Sequence, residues 1–172
     1  EIHDIAVAIG MDPGSEDLTG LRYNKVCVLA DADSDGLHIA TLICALFFRH
    51  FPALVTSGHF YIAMPPLYRI DQGKDVYYAA TEDDKAKILK KIQNKRGQIN
   101  VQRFKGLGEM NPSQLKETVM NEETRNLIQI GVEDIPDTLN YMNMLLGKKN
   151  ADQRKEWLRE RGDQVTNQEM MG

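Results

Sequence analysis

A run of branched apolar residues that ends abruptly in three alternating aspartates constrains this chain more than any other feature. Val26-Cys27-Val28-Leu29-Ala30 reads as a buried strand. It feeds Asp31-Ala32-Asp33-Ser34-Asp35-Gly36, where the glycine lets the backbone turn. Carboxylates crowded at the end of a core strand repel one another and lose hydration, so they are tolerated best around a divalent cation. The expectation is a metal site used in phosphate chemistry. If the segment stays extended, Asp31, Asp33 and Asp35 project to one side.

Four arrangements use such a run. A calcium loop of the D-x-D-x-D-G kind needs a glutamate at its twelfth position and a helix in front. Here Leu42 holds that position and a strand precedes, which excludes it. A strand-D-x-D phosphohydrolase, with Asp31 as nucleophile, fits Asp31 and Asp33, although no later lysine and acidic pair closes such a site. A nucleotidyl-transfer site holding Mg²⁺ against a DNA phosphodiester fits as well. So does a solvated acidic turn that caps the next helix. The run alone leaves these three open.

The chain's 172 residues suit one domain, or a domain with a helical appendage, and its 42% hydrophobic and 27% charged content is that of a globular protein. No apolar run reaches the roughly 18 residues of a membrane span, and the longest, Leu42 to Phe48, stops at Arg49-His50. No membrane partner is expected. The chain starts at Glu1 with neither an initiator methionine nor a signal-peptide pattern, so it reads as an excerpt from a longer cytoplasmic protein. Cys27 and Cys44 sit in apolar segments as core residues, and the four histidines have no zinc spacing. A net charge of −4 does not advertise nucleic-acid binding. The basic runs Lys85–Arg96 and Lys148–Arg161 are either wet helix faces or tracks for a DNA backbone.

Periodicity gives an α/β front and a helical rear. Ile2, Ile5, Ala6 and Ile9 mark a helix that Gly10 stops, and residues 12–24 form a loop. The strand at 26–30 leads into a helix over 36–51, apolar nearly all round and so expected to be buried. A strand follows at 59–63. Residues 67–70 and 76–80 form a hairpin about Asp71-Gln72-Gly73-Lys74. Thr81 caps a helix to about Asn94, 99–104 is a strand, and Asn111-Pro112-Ser113-Gln114 opens another helix. A strand over 127–132 precedes helices at 136–146 and 151–161, the latter ending at Gly162, and a polar tail runs from Asp163 to Gly172. Leu139, Met142 and Leu146 would offer an apolar patch to a partner. The six tyrosines lie in or beside these elements, where packing is their ordinary role.

Three blocks stand in order along the chain: Asp31-Ala32-Asp33-Ser34-Asp35-Gly36-Leu37-His38-Ile39, then Pro65-Pro66-Leu67-Tyr68-Arg69, then Arg103-Phe104-Lys105-Gly106-Leu107-Gly108-Glu109-Met110-Asn111-Pro112. Together they resemble the B subunits of bacterial type IIA topoisomerases, over nearly the whole chain to about Gly162. Ser34 and Leu37-His38-Ile39-Ala40 resemble the topoisomerase IV branch more than the gyrase branch. The resemblance implies a Toprim fold, a Rossmann-like parallel sheet flanked by helices, over residues 1–110 with its N-terminal part missing. A mostly helical, partner-docking tail over 111–172 would follow. It also implies a soluble enzyme subunit that acts on DNA in chromosome segregation, an isomerase and a fluoroquinolone target. Its partner would be a topoisomerase IV A subunit in an A2B2 heterotetramer, and ATP would be used by a domain absent from this chain. No phosphate cradle for ATP is present here.

Carried over by position, a tyrosine of the A subunit would cleave the DNA and Mg²⁺ would assist cleavage and resealing. Asp31 would serve the catalytic metal, Asp33 would share a second metal with it, and Asp35 would be a weaker or water-mediated ligand. His38, one turn into the next helix, would touch a phosphate or cap the helix. Lys105 before Gly106-x-Gly108 would approach DNA, and Arg69 would pair with DNA or with a carboxylate. Glu1 would align with a glutamate lining the family's fluoroquinolone site. The family's upstream E-G-D-S-A block, whose glutamate completes the metal site, has no counterpart here, so the excerpt is expected to be catalytically incomplete.

Overall fold

The computed structural model describes residues 1–161. The expected stop at Gly162 and the polar tail from Asp163 to Gly172 lie outside the described residues. In chain order the elements are α1 (Ile2–Ile9), β1 (Val26–Val28), α2 (Ser34–His50), α3 (Pro52–Thr56), β2 (Phe60–Ala63), β3 (Tyr68–Gln72) and β4 (Asp75–Ala79). Then come α4 (Glu82–Ile92), β5 (Ile99–Arg103), α5 (Pro112–Leu115), β6 (Leu127–Gln129), α6 (Ile135–Leu146) and α7 (Ala151–Arg161). The chain forms two compact units, one from Glu1–Asn24, Leu42–His59 and the segment from Ile130 onward, the other from Lys25–Thr41 and Phe60–Gln129. The long α2 contributes to both.

In the first unit, α1 buries Ala6 and Ile9 and stops where Gly10 turns left-handed at φ 78°. A Cβ at Gly10 would stand 2.2 Å from the Gly20 carbonyl oxygen, so only glycine lets the 11–24 loop fold back this closely. Phe47, Phe48, Phe51, Leu54 and Val55 form the apolar centre, with the Phe47 and Phe51 ring centroids 5.3 Å apart. The short α3, opened by Pro52, has no counterpart among the sequence expectations. Asp134 caps α6 by accepting the Asp137 amide at 2.8 Å. Beyond α6 the packing becomes polar: the Arg154 guanidinium donates to the Met144 and Gly147 carbonyls at 3.0 and 2.7 Å. Leu139, Met142 and Leu146 are half-buried, so they are not the exposed patch expected of them. Their i, i+3, i+7 spacing puts them on one face of α6, and Tyr141 and Leu145 are the exposed apolar residues instead.

The second unit holds two three-stranded sheets. In one, β2 pairs in parallel with β1, Cys27 opposite Tyr61, and antiparallel with β6, Ile62 opposite Ile128. Of the expected parallel sheet, this β1–β2 ladder is the parallel part among the described residues. In the other sheet, β3 lies between β4 and β5, both antiparallel to it. The β3–β4 hairpin closes through Gly73-Lys74, with Gly73 at φ 64° as a two-residue hairpin loop requires. Along β3, Tyr68, Ile70 and Gln72 alternate into the interior, and Gln72 Nε2 donates to the Ile92 and Lys95 carbonyls, both at 3.1 Å, tying down the end of α4.

Helix α2 departs from expectation. Leu37, Ile39 and Leu42 are 56%, 53% and 45% exposed. Ala40, Cys44, Phe47 and Phe48, spaced i, i+4, i+7, i+8, are the buried residues, a single stripe rather than the whole circumference. Burial raises the Cys44 thiol above its ordinary value, which fits an inert core residue. Helix α5 carries the expected capping box, with Asn111 Oδ1 accepting the Gln114 amide and Gln114 Oε1 accepting the Asn111 amide, both at 2.9 Å. It runs into a π-helical turn over Lys116–Met120, which the sequence did not signal.

Candidate metal centre

Strand β1 delivers the acidic turn at its carboxyl end, the end at which open α/β sheets gather ligands. Asp31 is exposed, and its Oδ1 accepts the Leu107 amide at 2.7 Å. Asp33, also exposed, caps α2: its Oδ1 accepts the Gly36 amide at 2.8 Å and its carbonyl accepts the Leu37 amide at 3.0 Å. Because Asp33 starts the helix, Asp35 already lies in its first turn. The expectation of three carboxylates on one side of an extended segment is therefore corrected. Asp31 follows β1, Asp33 lies in the bend that opens α2, and Asp35 turns with the helix.

The other candidate residues are placed as follows. His38 is exposed on α2, in the helical turn that follows the cap. Lys105 is exposed two residues before a 3₁₀ turn at Leu107–Glu109, and its amide donates to Glu109 Oε2 at 2.8 Å. The fold thus brings the 105–109 turn against Asp31. The Leu107 amide, which a Gly-x-Gly loop could have offered to a phosphate, is bonded to the Asp31 carboxylate. Arg69, on β3, donates from Nε and Nη2 to Asp71 Oδ1, each at 2.9 Å, and that hydrogen bond raises the guanidinium's pKa. Of its two expected kinds of partner, the carboxylate is the one it holds. Glu1 is exposed ahead of α1, in the first unit.

The donor set is made of hard carboxylate oxygens open to solvent. This suits Mg²⁺, which keeps several waters and is commonly held by one or two carboxylates together with substrate phosphate. Among the described residues no three His, Cys, Asp or Glu side chains gather as a cage for a metal. Gly106 adds a cradle: a Cβ there would stand 2.9 Å from Asp31 Cγ and Oδ2 and 3.0 Å from Oδ1. The sequence marked the glycine pair as a break but gave no sign that its partner was an aspartate 75 residues earlier. A separate cavity of about 520 Å³ in the same unit is lined by Met64, Tyr78, Lys87, Ile88, Glu117 and Thr118, among others. Tyr78 donates to Glu117 at 3.0 Å, and burial, followed by that bond, raises the phenol's pKa. None of the aspartates of the acidic turn lines this cavity. No helix among the described residues is long and apolar enough to cross a membrane.

Residues 96–159 match the family described as DNA gyrase B subunit, carboxyl terminus. Over 96% of its length the chain is 64% identical to the DNA topoisomerase 4 B subunit of Haemophilus influenzae, covering 27% of that protein. It is 61% identical over 95% of its length to the Escherichia coli protein of the same name, covering 26% of it. The DNA gyrase B subunit of Thermotoga maritima is 43% identical over 90% of the chain, which covers 24% of it. The chain therefore spans about a quarter of the length of the curated relatives it matches. Among solved structures, the DNA-binding, cleavage and re-ligation domain of Plasmodium falciparum topoisomerase II superposes with a TM-score of 0.69 at 23% identity. That match covers 91% of this chain and 21% of the other, and it bears on the fold alone.

Proposed function

This stretch of chain belongs to the family of bacterial type IIA topoisomerase B subunits, and on that footing we propose that it is the Mg²⁺-binding Toprim part of a topoisomerase IV B subunit. Residues 1–110 would carry the metal site and residues 111–172 the partner-docking tail. The whole enzyme would cleave and reseal both strands of DNA through a tyrosine of an A subunit, in an A2B2 assembly, with ATP used by a domain outside this chain. The observation that carries the reading is the exposed Asp31–Asp33 pair at the carboxyl end of β1, in a chain more than three-fifths identical to topoisomerase 4 B subunits.

Asp31 and Asp33 would hold the cation, with Asp35 reaching it through water from the first turn of α2. When bound, the cation would supply Lewis-acid stabilisation of charge on the leaving 3′-oxygen. The chain's own residues hold the carboxylates still: Asp33 through the Gly36 amide, and Asp31 through the Leu107 amide. Lys105 and His38, both exposed, would steady the DNA backbone as point charge and hydrogen-bond donor. Glu1 would line the fluoroquinolone site of the assembled enzyme.

The test is Mg²⁺-dependent DNA cleavage with a topoisomerase IV A subunit, comparing this chain with one extended upstream to include the E-G-D-S-A block. Protein-linked DNA from the extended form, lost in Asp31→Ala, is the expected result. Complex formation without linked DNA in either form would overturn the assignment.

A further inference from the structure

Asp31 is gripped by two glycines that are remote from each other in sequence. At Gly36, in the first turn of α2, a Cβ would stand 2.1 Å from the Asp31 carbonyl oxygen, so the helix start packs directly on the Asp31 backbone. At Gly106 a Cβ would be nearly equidistant from the three carboxyl atoms, so the backbone there lies flat against one face of the carboxylate. Conformation does not require a glycine at 106. Its φ of −162° and ψ of 170° are extended values that any residue adopts. Room requires it. The neighbouring Leu107 then supplies direction, its amide donating to Oδ1, while Oδ2 accepts no hydrogen bond among the described residues.

The turn that does this is itself fixed. Glu109 closes it by accepting the Lys105 amide at 2.8 Å and by donating its own amide to the Gly106 carbonyl at 3.2 Å. On either side Phe104 and Met110 are buried, and the Phe104 amide donates to the Leu67 carbonyl at 2.9 Å. The exposed carboxylate therefore stands on a rigid base.

We propose that the Gly106–Leu107 turn is a positioning element of the cation site, holding Asp31 so that Oδ1 is tied to the amide and Oδ2 faces the cation. The inference rests on Asp31 being a cation ligand, as proposed above. An untethered carboxylate rotates and chelates through both oxygens, a mode that large, loosely coordinated Ca²⁺ accepts. A carboxylate with one oxygen held by an N–H presents the other alone, which suits the small octahedral shell of Mg²⁺ or Mn²⁺. The turn thus sets affinity and the preference for small cations together.

The experiment is a Mn²⁺ titration followed by electron paramagnetic resonance, with Ca²⁺ as competitor, on the full-length protein that contains this chain, free of nucleotide. Leu107→Pro deletes the amide proton where proline fits, since the extended residue before it and the first position of a 3₁₀ turn both suit proline. Leu107→Ala keeps the proton and loses the side chain. Gly106→Ala keeps the proton and pushes the carboxylate away. Leu107→Pro and Gly106→Ala are expected to weaken Mn²⁺ binding by roughly ten- to a hundredfold and to narrow the Mn²⁺/Ca²⁺ preference, with Leu107→Ala within about twofold of the parent. A merely structural turn would make Leu107→Ala at least as damaging as Leu107→Pro. If both disruptive variants bind like the parent while Asp31→Asn loses Mn²⁺, the positioning role is overturned and the ligand reading stands. If Asp31→Asn binds like the parent, the ligand reading itself fails. Should circular dichroism show Leu107→Pro unfolded, Gly106→Ala decides alone.

Discussion

The two three-stranded sheets of the second unit use similar strands to opposite ends. The antiparallel sheet β4–β3–β5 is drawn from one continuous stretch, with its first ladder set by a two-residue loop and its register readable from Gly73. The mixed sheet β1–β2–β6 gathers three- and four-residue strands from across about a hundred residues, and only it ends in the aspartates. Local pairing gives a sturdy scaffold, and its last strand β5 runs into the 105–109 turn that meets Asp31. Long-range pairing costs more chain entropy but brings remote segments to one point, and sites are assembled at such points.

This contrast can be broken first at the aspartates. Asp31→Asn and Asp33→Asn in the intact complex are expected to lower DNA cleavage by roughly a thousandfold, since losing a Lewis acid forfeits several kcal/mol at about 1.4 kcal/mol per tenfold. The thermal midpoint should hardly move, because both side chains are exposed. Cleavage within tenfold of the parent would remove the mixed sheet's special status. Next come the cores. Phe60→Ala in β2 and Ile70→Ala in β3, both fully buried, should each cost about 2–5 kcal/mol in denaturant unfolding. Both variants are expected to unfold in one transition, and a second transition in either would show that the two sheets do not share one.

Smaller effects sharpen the comparison. Gly73→Ala, with open space around the site but φ at 64°, should cost roughly 1–2 kcal/mol, all of it backbone strain in the local sheet. Asp33→Ala should cost about 1 kcal/mol more than Asp33→Asn, because asparagine keeps the α2 cap and alanine does not. Removing the side chain at Asp33 therefore does more than relieve repulsion. The smallest effect concerns Glu82, whose pKa is lowered by its hydrogen bond to Lys85 and then by that from Tyr68. A depressed folded-state pKa stabilises above the ordinary carboxylate range and loses that contribution as pH falls through the folded value. The parent's advantage over Glu82→Gln in thermal unfolding should therefore shrink toward acid pH, and an advantage that grows instead would reverse the assignment.

What the sequence disclosed follows the same division. The hairpin, the Thr81 cap and the Asn111–Gln114 capping box were legible because each is decided within a few residues. Asp31 and Asp33 were legible as a crowded, exposed acidic turn after a core strand, since few structures tolerate carboxylates there. Asp35 was misplaced because the cap at Asp33 starts the helix one residue before it. The exposure of Leu37, Ile39 and Leu42 was hidden because an all-apolar helix does not say which stripe it buries. The π-helical turn left no pattern to find. Gly106 was visible as a glycine, but its reason is the carboxylate of Asp31, which periodicity cannot connect to it.

That remote connection has a consequence in time. Leu107 follows Asp31 by 76 residues, so at roughly 5–20 residues per second a ribosome exposes the aspartate several seconds before the amide that orients it. A hairpin closed by two residues forms within microseconds, long inside that interval. During synthesis the acidic turn therefore exists first as a loose pair of like charges. Its orientation arrives only once the 105–109 segment has been made and has folded back.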